Sequence, residues 1–285
     1  MSMSIAEATA ATPRGLIHYA DAGEGPAVLS LHGAMGGTDQ GMILARVTGA
    51  DAGRIIAPAR PGYPGTPLSS GVTPEAQADL YAALLDHLGL DRVAVIAVSG
   101  GGASALMFAL RHPGRCRGLV LVSTCAGPEP MPIPGGFRLF GLLARWPAFA
   151  GWMKGRALRN PDRISSRSIP DLKHQGALRT DPVAMPLYRD LRVGMFDRLA
   201  ERLPGTENDI RTTRSQSFAL EEIGVPTLVV HGTHDPLLPY ERHGAELARR
   251  IKRAEMLTVC EGGHAAIFTH RALIAPRVAG FLAAL

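Results

Sequence analysis

Cysteine is scarce in this sequence: only Cys116, Cys125 and Cys260 occur, scattered through 285 residues. That number and spacing exclude a disulfide framework and a structural zinc site. Lysine is nearly absent, so almost all of the positive charge is arginine. No Lys/Arg block and no basic stretch interleaved with aromatics is present, so the usual footprint of nucleic-acid binding is missing. Long apolar runs are missing too, and none approaches the ~18 residues of a membrane span. The first fifteen residues, "MSMSIAEATAATPRG", lack the basic start and apolar middle of a signal peptide. With no export signal, the expected location is the cytoplasm.

What is present is ample core material. Hydrophobic residues make up 46% of the chain and charged residues 19%, normal for a folded globular protein. The net charge is +5, but it is unevenly spread. Residues 126–220 hold 15 Lys+Arg against 9 Asp+Glu, so that segment carries the whole surplus.

The first half alternates short apolar runs with helical patterns. "AVLSLHG" (Ala27–Gly33), "RIIAPA" (Arg54–Ala59), "RVAVIAVS" (Arg92–Ser99) and "GLVLVST" (Gly118–Thr124) read as buried strands. Between them, Thr73 can cap a helix that starts at Pro74, carries Leu80, Leu84 and Leu88 on one face, and closes at Gly89. A further helix is predicted over Ala103–His112. Continuous apolar strands alternating with helices imply a parallel sheet covered on both faces. Two strands around Ser4–Ala10 and Gly15–Asp21 are expected to form an antiparallel edge. From Ala126 to Leu220 the alternation stops, and Pro, Gly and Arg punctuate short amphipathic pieces. It resumes with "PTLVVHG" (Pro226–Gly232), a helix around Tyr240–Lys252, the strand "EMLTVCE" and a closing helix to Leu285.

Ligands of open parallel sheets bind beyond the carboxyl ends of the strands. Those ends carry His32-Gly33-Ala34-Met35, then Ser99, then His234-Asp235, then Gly262-Gly263-His264. A serine hydroxyl is a poor nucleophile until a base takes its proton and a third group orients that base. Ser99, His264 and Asp235 are the candidates for these three roles. The small residues in Ala97-Val98-Ser99-Gly100-Gly101 fit a serine on a strained strand-to-helix corner, where flanking side chains would clash. The helix that follows aims its N-terminus at the site and favours negative charge there. The backbone N–H of Gly100 can receive an oxyanion, with a second N–H from Ala34, or from Met35 as the alternate. Gly102 has no assigned role beyond close packing of the helix.

Together "HGAMGG", "AVSGG", "HGTHDPLLP" and "GGH" are similar to the α/β-hydrolase superfamily over essentially the full length. The resemblance implies an α/β fold: a mostly parallel eight-stranded sheet with helices on both faces and a helical cap insertion. Residues 1–125 and 221–285 would form the core and residues 126–220 the cap over the active site. It implies a serine hydrolase working through an acyl-enzyme, with no cofactor and no metal. A serine rather than an aspartate nucleophile sets the chain apart from the haloalkane-dehalogenase and epoxide-hydrolase branches. The sequence departs from the family at Ala97, where glycine is usual, and at Ala59 and Pro64, where many relatives have aspartate and glycine.

A plain turn with a capping serine accounts for one of these motifs, but not for all of them at successive strand ends. His270, a rival to His264, falls inside the predicted last helix as a solvated residue; His234 reads as a loop residue and His32 as structural. Cys125, just past a strand end, can face the pocket, but reads rather as a buried small apolar side chain. Met35, Phe137, Phe140, Trp146, Trp152 and Met153 are candidates to line an apolar substrate pocket, although ordinary packing of cap helices accounts for each equally well. The cap arginines read as solvated faces, with steering of an anionic substrate as the minority reading. The expected partner is a small-molecule substrate, without nucleic acid or a membrane span, and a homodimer is compatible with the sequence. Cleavage of a small carboxylic ester or lactone is the leading expectation. Carbon–carbon bond hydrolysis of ring-cleavage products and cofactor-free perhydrolysis need the same residues, and a ligand-binding protein on a hydrolase scaffold is the rival from another class.

Overall fold

Alternation within each central strand divides the core in two. In β5 (Val93–Val98), Val93, Val95 and Ala97 face one apolar cluster while Ala94 and Ile96 face the other. In β6 (Cys116–Val122), Leu119 and Leu121 face the first cluster, Val120 and Val122 the second. A strand buried on both faces this way must lie inside a sheet covered by helices on each side. Burying one such side chain is worth about 1.5–3 kcal/mol.

The computed structural model describes residues 4–133, 135–166 and 168–285. The remaining strands are β1 (Ala6–Thr12), β2 (Gly15–Ala22), β3 (Ala27–Leu31), β4 (Arg54–Pro58), β7 (Thr227–Gly232) and β8 (Ala254–Val259). They form one eight-stranded sheet in the order β1-β2-β4-β3-β5-β6-β7-β8. The β1–β2 and β2–β4 pairs are antiparallel and all others are parallel. The first strand ends at Thr12 rather than at Ala10, because Pro13 and Arg14 make the turn and Thr12 pairs with Gly15.

Helices α1 (Thr38–Val47), α2 (Pro74–His87) and α3 (Gly102–Arg111) connect the first strands. Thr73 caps α2 by accepting the Ala76 N–H, and Gly89 follows its end with φ +65°. Among the described residues, five helices lie between β6 and β7: α4 (Phe137–Ala144), α5 (Pro147–Arg159), α6 (Leu172–Thr180), α7 (Ala184–Gly194) and α8 (Leu199–Thr213). After β7 come α9 (Gly244–Arg250), α10 (Ala266–Thr269) and α11 (Arg271–Ala283). The helix expected from Tyr240 is interrupted at His243, whose backbone is not helical and whose ring meets the Glu129 carboxylate and the Ala126 N–H. The last helix is likewise two. His270 sits at the break between α10 and α11, half-buried against the His174 ring, and not on a solvated face.

The chain runs from β3 to β4 on one side, then returns past β3 to add β5 on the other. The loops leaving β3 and β5 therefore diverge and leave a crevice at the carboxyl edge of the sheet.

Candidate active site

Ser99 stands at the head of that crevice with φ +50°, a left-handed backbone that costs a non-glycine residue on the order of 1 kcal/mol or more. Its neighbours hold it there. A Cβ on Gly101 would lie 2.6 Å from the Leu31 carbonyl oxygen and 2.7 Å from that of His32, so the corner can sit on the end of β3 only with glycine at 101. Gly102 has the role that its sequence left open. A Cβ there would fall 1.6 Å from Thr124 Oγ1, the hydroxyl that donates to the Ser99 carbonyl at 2.8 Å.

Ser99 Oγ lies 3.1 Å from His264 Nε2, and His264 Nδ1 lies 2.8 Å from Asp235 Oδ2. Asp235 accepts two further hydrogen bonds on Oδ1, from the N–H groups of Leu237 at 2.9 Å and Leu238 at 3.0 Å. Burial opposes the charge on Asp235, but His264 and the two N–H groups outweigh it and hold its pKa below the ordinary carboxylate value. An ionised carboxylate can only accept, so Nδ1 of His264 carries the proton and Nε2 is free to accept from Ser99. The buried His231 also faces the carboxylate: its Nε2 donates to the Leu238 carbonyl and lies 3.5 Å from Asp235 Oδ2.

Ala34 and Gly100 border the same cavity as Ser99 and His264. The alternate donor is already committed, since the Met35 N–H donates to Thr206 Oγ1 of α8 at 3.0 Å. His32 is structural: Nδ1 meets the Gly33 carbonyl at 2.7 Å and Nε2 accepts the Arg60 N–H at 3.0 Å. Burial first, and the Arg60 charge second, place its pKa well below 6.5. Below about pH 6.5 the unfolded chain takes up a proton that folded His32 refuses, so stability rises with pH through this window. Melting temperature is expected to fall on acidification from about pH 6.5, and less steeply in His32→Gln; equal slopes in the two proteins would contradict this.

Arg60, Tyr63 and Asp209 join the crevice to α8, and sequence reasoning missed all three. The Arg60 guanidinium and the Asp209 carboxylate make two hydrogen bonds, of 2.5 and 2.9 Å, and Tyr63 donates to the same carboxylate at 2.5 Å. Burial works against the charge on Arg60, but Asp209 outweighs it and the guanidinium pKa is raised. Arg60 also donates to the carbonyls of His32 at 2.8 Å, Gly100 at 3.2 Å and Gly33 at 3.3 Å. One side chain thus ties both crevice loops to each other and to α8. Gly100 belongs to the arrangement, because a Cβ there would meet Asp209 Oδ2 at 2.8 Å. A sequence signal existed: Arg202, Thr206 and Asp209 recur at helical spacing, and Arg202 donates to the Met35 carbonyl at 3.1 Å.

The cavity beside Ser99 opens to solvent, and together with its open mouth spans about 600 Å³. Its apolar wall comes from Ala103, Met131, Ile210, Phe218, Leu237 and Leu238, and its polar wall includes Thr124, Asp209 and Thr213. Cys125 borders it as well, its thiol pushed up to about 12 by burial and, secondarily, by Glu129 and Asp235. None of the six side chains expected to line a pocket is part of this wall. Met35, Phe137 and Phe140 pack instead against Ala144, Leu199 and Leu203, because α4 turns that face to the far side of α8. Trp146 and Trp152 are exposed, and Met153 borders a separate surface recess with Arg156, Arg163 and Arg192. Among the described residues, no group of three or more His, Cys, Asp or Glu is arranged to hold a metal ion, and no helix is long and apolar enough to cross a membrane.

Residues 26–271 match the family described as the alpha/beta hydrolase fold. The chain is similar to the 2-hydroxy-6-oxo-6-phenylhexa-2,4-dienoate hydrolase of Comamonas testosteroni, with 31% identity over 87% of this chain and 85% of that protein. It is also similar to the poly(3-hydroxyalkanoate) depolymerase of Ectopseudomonas oleovorans, with 32% identity over 72% of this chain and 66% of that protein. Among solved structures, an alpha/beta hydrolase fold protein from Nakamurella multipartita superposes with a TM-score of 0.78 at 32% identity, covering 97% of this chain and 99% of its own.

Proposed function

The chain belongs to the α/β-hydrolase fold family, and from that premise we propose that it is a serine hydrolase of small, uncharged carboxylic esters or lactones. The hydrogen-bonded series Ser99–His264–Asp235, ending at a positive-φ serine on the wall of a cavity, carries this reading. Ser99 Oγ attacks the acyl carbon while His264 Nε2 takes its proton. The oxyanion forms against the N–H groups of Gly100 and Ala34, each worth roughly 3 kcal/mol in the transition state. His264 returns the proton to the departing alcohol, and the acyl group stays on Ser99. Water, activated by the same nitrogen, then releases the acid.

The relatives' names divide between ester and carbon–carbon chemistry: the linkages of a poly(3-hydroxyalkanoate) are esters, whereas a dienoate carries a free carboxylate. The cavity wall favours the ester. Among the described residues its lining includes Asp209 and no Lys or Arg, and the nearby Arg60 already has its guanidinium bonded to Asp209 and three carbonyls. An anionic substrate there would be desolvated without a cation to receive it.

The test is a panel of neutral esters of graded acyl length, lactones and dienoic diketo acids, together with a fluorophosphonate probe. We expect labelling of the wild type, and a higher kcat/KM for the best neutral ester than for any dienoate. A dienoate turned over faster than every ester would move the assignment to carbon–carbon hydrolysis. An unlabelled wild type would remove the nucleophile.

A further inference from the structure

One helix of the insertion is apolar on two faces but covered on only one. The inner face of α4, Phe137, Phe140 and Ala144, packs on Leu199 and Leu203 of α8. The outer face carries Leu139, Leu142, Leu143 and, just past its end, Trp146, at helical spacing and 61%, 64%, 37% and 63% exposed. Trp152, on the neighbouring helix α5, is exposed as well, at 53%. A helix that is apolar all round is normally buried, and a contiguous apolar surface rimmed by polar residues marks an interaction site.

Charge identifies what covers it. From Pro130 to Pro161 the sequence has no Asp or Glu, but it has Arg138, Arg145, Lys154, Arg156 and Arg159. Lys154 pairs with Asp197 of the neighbouring turn. The four arginines are exposed and make no ion pair among the described residues. Arg156 instead lies over the Trp152 ring, 6.0 Å from its centroid. A second copy meeting this face by two-fold symmetry would set these unpaired cations against their own like. An uncharged apolar partner would leave them unmatched. A bilayer surface bearing anionic headgroups meets both features, with leucines and tryptophans at the acyl boundary and arginines reaching the phosphates. We infer that the α4–α5 face docks this protein peripherally on an anionic lipid surface. Because α8 packs on α4 and lines the cavity beside Ser99, docking would set the bilayer one helix away from that cavity.

The chain provides its own probe, since Trp146 and Trp152 are its only tryptophans. Adding vesicles of phosphatidylcholine with phosphatidylglycerol is expected to shift their emission to the blue and to co-sediment the protein. Binding should weaken roughly tenfold or more as salt rises from about 0.05 to about 0.5 M. The double variant Leu139→Ser, Leu142→Ser should lose both signals with an unchanged melting temperature. If it does not fold, Arg138→Glu with Arg145→Glu should lose them as well. Absence of both signals with anionic vesicles would overturn the inference, as would equal binding to pure phosphatidylcholine. A blue shift that follows protein concentration without lipid would assign the face to a second copy and overturn it too.

Discussion

Replacing Ser99 with Ala is expected to lower kcat by on the order of 10⁶, with melting temperature little changed. The substitution removes the oxygen that would carry the acyl group in the proposed mechanism and deletes no core contact. Alanine keeps the Cβ, so the left-handed backbone at φ +50° and its surroundings are unchanged. Asp235→Asn is the graded companion. An amide at 235 can donate to His264 Nδ1, so the proton settles on Nε2 and the imidazole can no longer accept from Ser99. The expected loss is about 10⁴ in kcat, with KM little changed. Steady-state kinetics on the best ester from the panel, with circular dichroism to verify the fold, decides both. Turnover by Ser99→Ala within tenfold of wild type, or near-normal activity in Asp235→Asn, would place the chemistry elsewhere.

The second large effect is structural. Removing one partner of a buried ion pair leaves the other charged and uncompensated, at about 3–5 kcal/mol. Asp209→Ala is therefore expected to lower the melting temperature by roughly 10 °C, on the scale of about 2–4 °C per kcal/mol for a chain of this size class. Arg60→Leu should cost as much, and kcat as well, because three crevice carbonyls lose their shared donor and the Ala34 and Gly100 N–H groups lose their setting. The double variant Arg60→Leu, Asp209→Leu should cost clearly less stability than the two single changes summed, since no unpaired charge remains. Additive losses from the three melting curves would mean that the pair acts only through packing. Tyr63, which donates to Asp209, provides an independent check: in a Tyr63→Phe background the coupling between 60 and 209 should persist.

Much of the candidate site was legible in the sequence, for a reason that can be located. Ser99, His264 and the stretch around Asp235 follow apolar runs directly, and parallel strands deliver their carboxyl ends to one edge of a sheet. Punctuation was legible too: Thr73, Pro74 and Gly89 bound α2 because capping and φ > 0 are decided within a few residues. Boundaries failed where a distant contact overrode local pattern. His243 breaks a helix because its ring is held by Glu129, and the run toward Leu285 divides at His270, which meets His174.

The strand and helix alternation, the polar residues at the strand ends and the glycines that a strained serine requires can all be read along the chain. Each of these follows from local sterics and the periodicity of burial. What surrounds that serine follows from long-range packing instead. Arg60 and Asp209 are 149 residues apart, and nothing in either neighbourhood announces the other. The cavity wall depends on which face α8 turns inward, which is set by α4 packing behind it and by Arg202 and Thr206 gripping the loop at Met35. A helix with apolar residues all round gives no local sign of which side will be covered. Phe137 and Phe140 therefore became a prop for α8 rather than a pocket, and Trp146 was left facing water.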